Sequence, residues 1–383
     1  MPYKFNWTDL TLEQFFREYW NRKPCLIRSA LPDDFDGITP EELAGLALEE
    51  QVESRIVIQS GEQDYTLKNG PFHEDDFAAL PQRDWTLLVQ GVDRLVPSVQ
   101  KLLTAFDFIP YWRLDDIMIS YAVTGGNVGP HFDHYHVFLY QVAGTRRWTL
   151  TNQHCTLDNY LENVPLRLMR EFPIMLDWIV EPGDVLYIPP LWGHHGVALD
   201  DDCMTASIGY RSLRAREIAE ALADWLAENP AGNTLFADPD YTGTPPGEIP
   251  ERVHAPILSA LAPALSSPGL DEAWAQLVTL PDQAAAELLP EPLDPPLSLE
   301  MLPEKLQSSP VWLRDSVTRM ALTPQGTLFI NGMAWETAAS AAFKRILANS
   351  ILYEELEAVL TNPQDAQALL HAINQQWIVP DEP

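Results

Sequence analysis

The sequence predicts an α+β chain: an antiparallel barrel or jelly roll to about residue 210, then helices, then a small winged-helix-like module. Three observations predict it. Up to about residue 210 the chain runs in short apolar or alternating segments, several separated by Gly- and Pro-containing breaks. After Tyr210 the texture turns helical. Leu289–Pro296, reading LPEPLDPP, is a stiff linker and the sharpest boundary in the chain. The expected division is therefore 1–210, 211–288 and 289–383.

In chain order, Thr11-Leu-Glu-Gln14 reads as a capping box opening an amphipathic helix through Phe15, Phe16, Tyr19 and Trp20. Arg22-Lys23-Pro24 stops it, and Cys25–Arg28 reads as a short strand. Further strands are expected at Val52–Gln59, Trp85–Gln90, Ile117–Val123, His131–Tyr140, Arg147–Leu150 and Asp184–Ile188. Arg214–Glu228 carries a helical stripe of Ile218, Leu222, Trp225 and Leu226, whereas Asn229–Pro250 is too polar and broken for a core element. Helical patterning returns at Ile257–Leu265 and Glu272–Leu280. Beyond the linker come a helix, an apolar run at Val311–Leu322, and Gly326–Gly332 with strand-like flanks. Helices at Ala338–Asn349, Tyr353–Thr361 and Asp365–Gln376 then surround that hairpin, which is the winged-helix-like pattern.

A chain of 383 residues with 46% hydrophobic content and 12 Trp has core enough for two or three domains. Its formal charge of −31 disfavours nucleic acid as the main partner and favours a basic one, a ribosomal protein or a histone tail. An acidic, merely solubilising surface is an equal reading of the same number. Between Leu297 and Pro383, five Lys/Arg stand against ten Asp/Glu, the wrong balance for tracking phosphates. The winged-helix-like segment is therefore expected to be structural or protein-binding. Cys25, Cys155 and Cys203 form no C-x-x-C pair and read as reduced thiols of a cytoplasmic protein. The N-terminus lacks an apolar leader and no run of about 18 apolar residues occurs, so neither secretion nor a membrane span is expected.

The chemistry concentrates in His131, Asp133 and His194: His-x-Asp on one predicted strand, with a distant His just after another. Two imidazoles and one carboxylate leave about three open positions on an octahedral metal, the facial triad of non-haem Fe(II) oxygenases. Alternation along a strand would put His131, Asp133 and Tyr135 on one face. Gly125-Gly126-Asn127-Val-Gly129-Pro130 permits a tight turn just before the first of them. Pro182-Gly-Asp turns into the Val185–Ile188 strand, and Pro189-Pro190 makes a rigid exit that presents a histidine. His194 and His195 compete for that role, and the spacing favours His194. Arg146 and Arg147, adjacent on a strand, must point to opposite faces, so one can enter the barrel, where it would need an anion. His73, His154, His254 and His371 read as isolated structural histidines.

These segments together resemble the Jumonji C class of 2-oxoglutarate oxygenases, and within it the bacterial ribosomal oxygenases. The resemblance rests on Tyr19-Trp20-x-x-Lys23-Pro24, Asp115-Asp116-x-Met118-Ile-Ser120 and Gly129-Pro-His-Phe-Asp133-x-Tyr135. It continues through Gly144-x-Arg146-Arg147-Trp148, Glu181-Pro-Gly-Asp-x-Leu-Tyr-Ile-Pro-Pro190, His194-x-Gly196 and Met204–Tyr210. It implies a double-stranded β-helix (cupin) barrel, then a helical dimerisation segment and a C-terminal winged helix in a homodimer. It implies His131, Asp133 and His194 as iron ligands, and Arg146 as the partner of the 2-oxoglutarate C5 carboxylate, with Ser207 and Thr205 also in that pocket. Asp116, Met118, Tyr135 and Ser207 fall where the substrate arginine is held. This chain departs from the resemblance at His136 and His195.

The implied reaction consumes 2-oxoglutarate and O₂ at Fe(II), releases succinate and CO₂, and hydroxylates Cβ of an arginine. The implied target is the sixteenth large-subunit ribosomal protein. Two rivals share the residues. An N-methyl-lysine demethylase would use the same iron chemistry, and a non-enzymatic metal-binding cupin would act as an acidic adaptor for basic proteins.

Overall fold

The computed structural model describes residues 2–266 and 269–381, and these divide into two units, one ending at Ser212 and the other starting at Leu213. In the first unit the Thr11 capping box forms: its hydroxyl accepts from the Gln14 amide at 3.2 Å, and the Gln14 side chain accepts from the Thr11 amide at 2.9 Å. It opens α1 (Leu12–Glu18). Three further short helices alternate with the first strands: α2 (Pro40–Leu46), α3 (Glu74–Ala78) and α4 (Pro97–Lys101).

The strands of this unit are β1 (Cys25–Ile27), β2 (Ser54–Gly61), β3 (Asp64–Asn69), β4 (Trp85–Val89), β5 (Leu114–Ala122) and β6 (His131–Phe132). They continue as β7 (His136–Ala143), β8 (Arg146–Thr151), β9 (Leu176–Val180), β10 (Val185–Ile188), β11 (Gly193–Ala198) and β12 (Cys203–Tyr210). One sheet runs β1-β10-β7-β12-β5-β4-β2-β3 and the other β6-β11-β8-β9. From β5 to β12 the chain passes repeatedly between them, which is the winding of a jelly roll, as the sequence predicts.

Within the large sheet β7 is covered on both faces and buried along almost its whole length. Inward, Val137 and Leu139 meet Trp148, Leu150, Val180, Leu186 and Ile188. Outward, Phe138 lies against Phe15 of α1 and against Phe106, with ring centroids 5.8 and 5.4 Å apart.

Three local expectations need correction. His131–Tyr140 is not one strand: β6 belongs to the small sheet and β7 to the large one. Residues 133–135 make the crossing, so alternation does not place Asp133 and Tyr135 on the face of His131. Second, His194 lies within a strand rather than after one, because β11 forms a six-pair ladder with β8. Its Gly- and His-rich sequence carries little strand signal, and pairing supplies what propensity does not. Third, Tyr353–Thr361 is not a regular α-helix. Tyr353 pairs with Trp312, and Glu355 takes a left-handed φ of 54° that separates this strand from a 3₁₀ turn.

The second unit begins with helices α5 (Ala215–Glu228), α6 (His254–Leu265), α7 (Gly269–Thr279) and α8 (Gln283–Glu287). Two three-stranded antiparallel sheets follow, with α9 (Leu302–Leu306) before them. Their strands are β13 (Val311–Arg314), β14 (Met320–Leu322), β15 (Leu328–Ile330), β16 (Met333–Trp335), β17 (Leu352–Glu354) and β18 (Ile378–Pro380). The last helices are α10 (Ala341–Asn349) and α11 (Pro363–Asn374). Trp312, Phe343, Leu347, Leu369 and Ile373 centre their core. The Leu289–Pro296 segment is docked rather than free: Leu293 donates its amide to the Asn374 carbonyl at 2.7 Å and packs on that core.

Candidate metal centre and its barrel

β6 and β11 pair so that His131 stands directly across from His194. The chain enters β6 through Gly129, whose φ of +76° suits glycine and where an added Cβ would lie 2.6 Å from Leu168. Asn127, 2% exposed, holds that turn: its Oδ1 accepts from the Gly129 amide at 2.9 Å and from Tyr65 Oη at 3.1 Å. Its Nδ2 donates to Gln59 Oε1 at 2.6 Å and to the Gly125 carbonyl at 2.9 Å.

The two imidazoles are oriented alike. His131 Nδ1 lies 2.9 Å from the Gly129 carbonyl and His194 Nδ1 lies 3.0 Å from the Trp192 carbonyl. A carbonyl only accepts, so each Nδ1 carries a proton and each Nε2 is the ring's inward ligand position. Those Nε2 atoms lie 4.0 Å (His131) and 3.5 Å (His194) from Asp133 Oδ2. One donor atom from each residue falls within 4.8 Å of the others. Burial, and then the neighbouring His131, push the His194 pKa down to about 4, so its ring is neutral at pH 7. Two imidazole Nε2 atoms and one carboxylate are a fitting donor set for a divalent first-row metal.

The competing histidines go elsewhere. His195 points its Nε2 at Asn127 Oδ1, 3.2 Å away. His136 lies on the outer face of the large sheet, stacked on Trp20 at 4.0 Å with its Nδ1 2.9 Å from Tyr187 Oη. Burial, and then Arg113, hold its pKa down at about 3.

The adjacent arginines part as alternation requires. Arg147 pairs with Asp177 on the exposed face, its Nε 2.9 Å from Asp177 Oδ1. Arg146, 5% exposed, points inward, its guanidinium 5.7 Å from the Trp148 ring. Its Nη2 is buried with no hydrogen-bond partner, and so is Trp148 Nε1. Buried donors without acceptors are costly, and two of them in one interior mark where an anionic or carbonyl ligand belongs.

On β5, Asp116, Met118 and Ser120 alternate along one face; Ser207 of β12 stands across from Met118, and Thr205 across from Ser120. The Thr205 hydroxyl donates to Gln141 Oε1 at 3.1 Å. Asp116 is buried and accepts from Gln90 Nε2 at 2.7 Å. Burial first, and Asp115 second, raise its pKa, while burial and then Asp116 push buried Asp93 up to about 7. Arg94 acts on both carboxyls in the opposite sense. Met118 Sδ lies 3.9 Å from Arg55 Nη2. Tyr135 is 39% exposed, with its phenol pKa raised well above the ordinary value by desolvation and then by the Asp133 carboxylate.

In the sequence Asn127 reads only as part of the turn before His131 and Cys203 only as a reduced thiol, and Gln90 and Gln141 take no site role, because isolated amides and a buried thiol carry no spacing signal. Asn127 is testable: Asn127→Ala should weaken metal binding by about ten- to hundredfold, the usual cost of losing an outer-shell support. Calorimetric titration with Mn(II) measures it, and unchanged affinity would reduce Asn127 to a turn residue.

Residues 101–218 match the family profile described as the JmjC domain. Over that segment the chain is similar to JmjC domains. Outside that segment the likeness continues. The Escherichia coli (strain K12) ribosomal protein uL16 3-hydroxylase is 37% identical over 255 residues, covering 65% of this chain and 62% of the relative. A probable ribosomal oxygenase of Haemophilus influenzae is 39% identical over 203 residues, covering 53% and 50%. These alignments thus span only about half to three-fifths of the curated relatives' lengths. The solved structure of YcfD, an E. coli ribosomal oxygenase in complex with cobalt and 2-oxoglutarate, aligns over 99% of this chain and 100% of its own. Its TM-score is 0.83 at 27% identity, so the jelly roll and, after it, the mixed helices and sheets are similar to those of YcfD.

Proposed function

We propose that this chain is an Fe(II)- and 2-oxoglutarate-dependent oxygenase that hydroxylates Cβ of an arginine in the sixteenth ribosomal protein of the large subunit. The observation that carries the reading is the pair of Nε2 lone pairs converging with Asp133 in the barrel interior that also holds the unpaired Arg146 donor. Relatives named as a uL16 3-hydroxylase and a ribosomal oxygenase support it, as does a structural neighbour holding cobalt and 2-oxoglutarate.

In this reading His131, Asp133 and His194 hold the iron. When bound with 2-oxoglutarate, the iron supplies O₂ activation, converting the cosubstrate to succinate and CO₂ and inserting oxygen into a C–H bond. The chain's own residues do the positioning. Arg146 grips the far carboxylate through charge-assisted hydrogen bonds, with Ser207 and Thr205 lining the same interior. Asp116 pairs with the substrate guanidinium, and Ser207 adds a hydroxyl beside it. Tyr135 and Met118 flank the alkyl stem, and the layer of Trp148, Leu150 and Leu186 excludes water.

The same proposal assigns 1–210 to catalysis, 211–288 to homodimerisation and 289–383 to a winged-helix-like domain that is structural or protein-binding rather than nucleic-acid-binding. The setting is the cytoplasm. No helix among the described residues is long and apolar enough to cross a membrane. A charge of −31 suits a basic ribosomal protein as substrate.

The test is anaerobic Fe(II) reconstitution followed by 2-oxoglutarate, O₂ and ribosomal proteins, read by intact-protein and peptide mass spectrometry. One added oxygen on one arginine is the expected result. Loss of CH₂ from a lysine would make the protein a demethylase, and no 2-oxoglutarate turnover under confirmed iron loading would leave an adaptor. Within the same assay, Asp116→Ala should raise the KM for the arginine peptide about tenfold or more while the affinity for 2-oxoglutarate holds. An unchanged peptide KM would remove Asp116 from the substrate pocket.

A further inference from the structure

One polar chain joins the two sheets beside the barrel interior. Arg146 leaves β8 in the small sheet and reaches the large one, where Nε donates to Cys203 Sγ at 3.3 Å and Nη1 lies 3.5 Å from Ser120 Oγ. The same sulfur accepts from Gln141 Nε2, also at 3.3 Å. Gln141 is itself fully buried and fixed by the Ala143 carbonyl at 2.7 Å and by the Thr205 hydroxyl at 3.1 Å. Cys203 also fills a small apolar cluster with Ala122 and Ala198, which is all that an ordinary core thiol would do. Two N–H donors from different strands converging on its sulfur are more than packing requires.

A guanidinium is a rigid planar fork, so fixing Nε sets the directions of both terminal nitrogens. With Nε on the sulfur and Nη1 toward Ser120, Nη2 is left in the interior, buried and without a partner. We propose that Cys203, held by Gln141, is a positioning residue: it sets the plane of Arg146 and thereby the place where the far carboxylate of a dicarboxylate cosubstrate is gripped. The inference rests on the oxygenase reading above. Sulfur is a weak acceptor, so the effect lies in orientation rather than in the strength of the bond.

The test uses the full chain loaded with Mn(II) under nitrogen and titrated calorimetrically with 2-oxoglutarate and, separately, with oxalate. Oxalate can chelate the metal but has no distal carboxylate. Cys203→Val keeps an apolar side chain of similar size and removes the acceptor. It should weaken 2-oxoglutarate binding about tenfold and leave oxalate unchanged. Cys203→Ser, which restores an acceptor, should return 2-oxoglutarate affinity to within about threefold of the parent. Cys203→Ala is run beside them, so that crowding by valine or failure of that variant to fold does not decide the result. Equal weakening of both ligands, or no weakening of 2-oxoglutarate in either Val or Ala, overturns the positioning role. A parent protein that binds Mn(II) and oxalate but not 2-oxoglutarate overturns the oxygenase reading instead.

Discussion

Asp133→Ala is expected to abolish 2-oxoglutarate turnover, on the order of a thousandfold or more, well beyond the ten- to hundredfold typical of outer-shell losses. Asp133 brings the anionic oxygen to the cluster, and its Oδ2 faces both imidazole Nε2 atoms, 4.0 and 3.5 Å away. Without it two neutral nitrogens remain, too few and too weakly charged to hold Fe(II) with a bidentate cosubstrate. The fold should survive, because the main-chain contact at this position is untouched: the Asp133 carbonyl accepts from the Leu191 amide at 2.8 Å. The expected signature is therefore an unchanged metal-free thermal midpoint together with lost Mn(II) binding. If Asp133→Ala bound Mn(II) as tightly as the parent, the metal would have to lie elsewhere.

The second large effect is Arg146→Met, with opposite signs in two measurements. Loss of a charge-assisted grip on a carboxylate should raise the 2-oxoglutarate KM by about tenfold to a hundredfold. The metal-free protein should melt no lower than the parent, and higher if packing is good. A buried guanidinium with an unpaired Nη2 is a cost that only the anion offsets. The parent should gain thermal stability when Mn(II) and 2-oxoglutarate are added together, while Arg146→Met gains only the Mn(II) contribution. A variant that melts well below the parent, yet binds 2-oxoglutarate normally, would make Arg146 a structural tie between the sheets. Arg146→Lys should rescue little, since a point charge cannot reproduce the planar fork.

Much of the barrel was readable in the chain. The short apolar or alternating runs at Val52–Gln59, Trp85–Gln90 and Ile117–Val123 led directly to β2, β4 and β5, and Thr11 to Gln14 announced α1. Such signals are local: a period of two or a cap-and-partner spacing is set by neighbours along the chain. The readings that needed correction all depend on distant partners. His194 lies in a strand because β8 pairs with it. The His131 strand ends early because the chain must change sheets before β7. Tyr353 extends because Trp312 lies opposite it.

The candidate site divides along the same line. Residue types and spacing alone singled out His131, Asp133 and His194 as a donor set, and alternation alone required Arg146 and Arg147 to part. Which arginine turns inward was a matter of which face of β8 meets the apolar layer of Val137, Leu139 and Leu186. Likewise, the inward Nε2 lone pairs come from carbonyls at Gly129 and Trp192 that only the folded turns bring under the rings. Gln90 beneath Asp116 is 26 residues away in the chain, and Cys203 is 57 residues from Arg146 and 62 from Gln141. Sequence carries the chemistry a side chain offers and the face it takes within its own strand. Its partner, its protonated nitrogen and its direction are set by long-range pairing, because those contacts exist only once the two sheets have closed on each other.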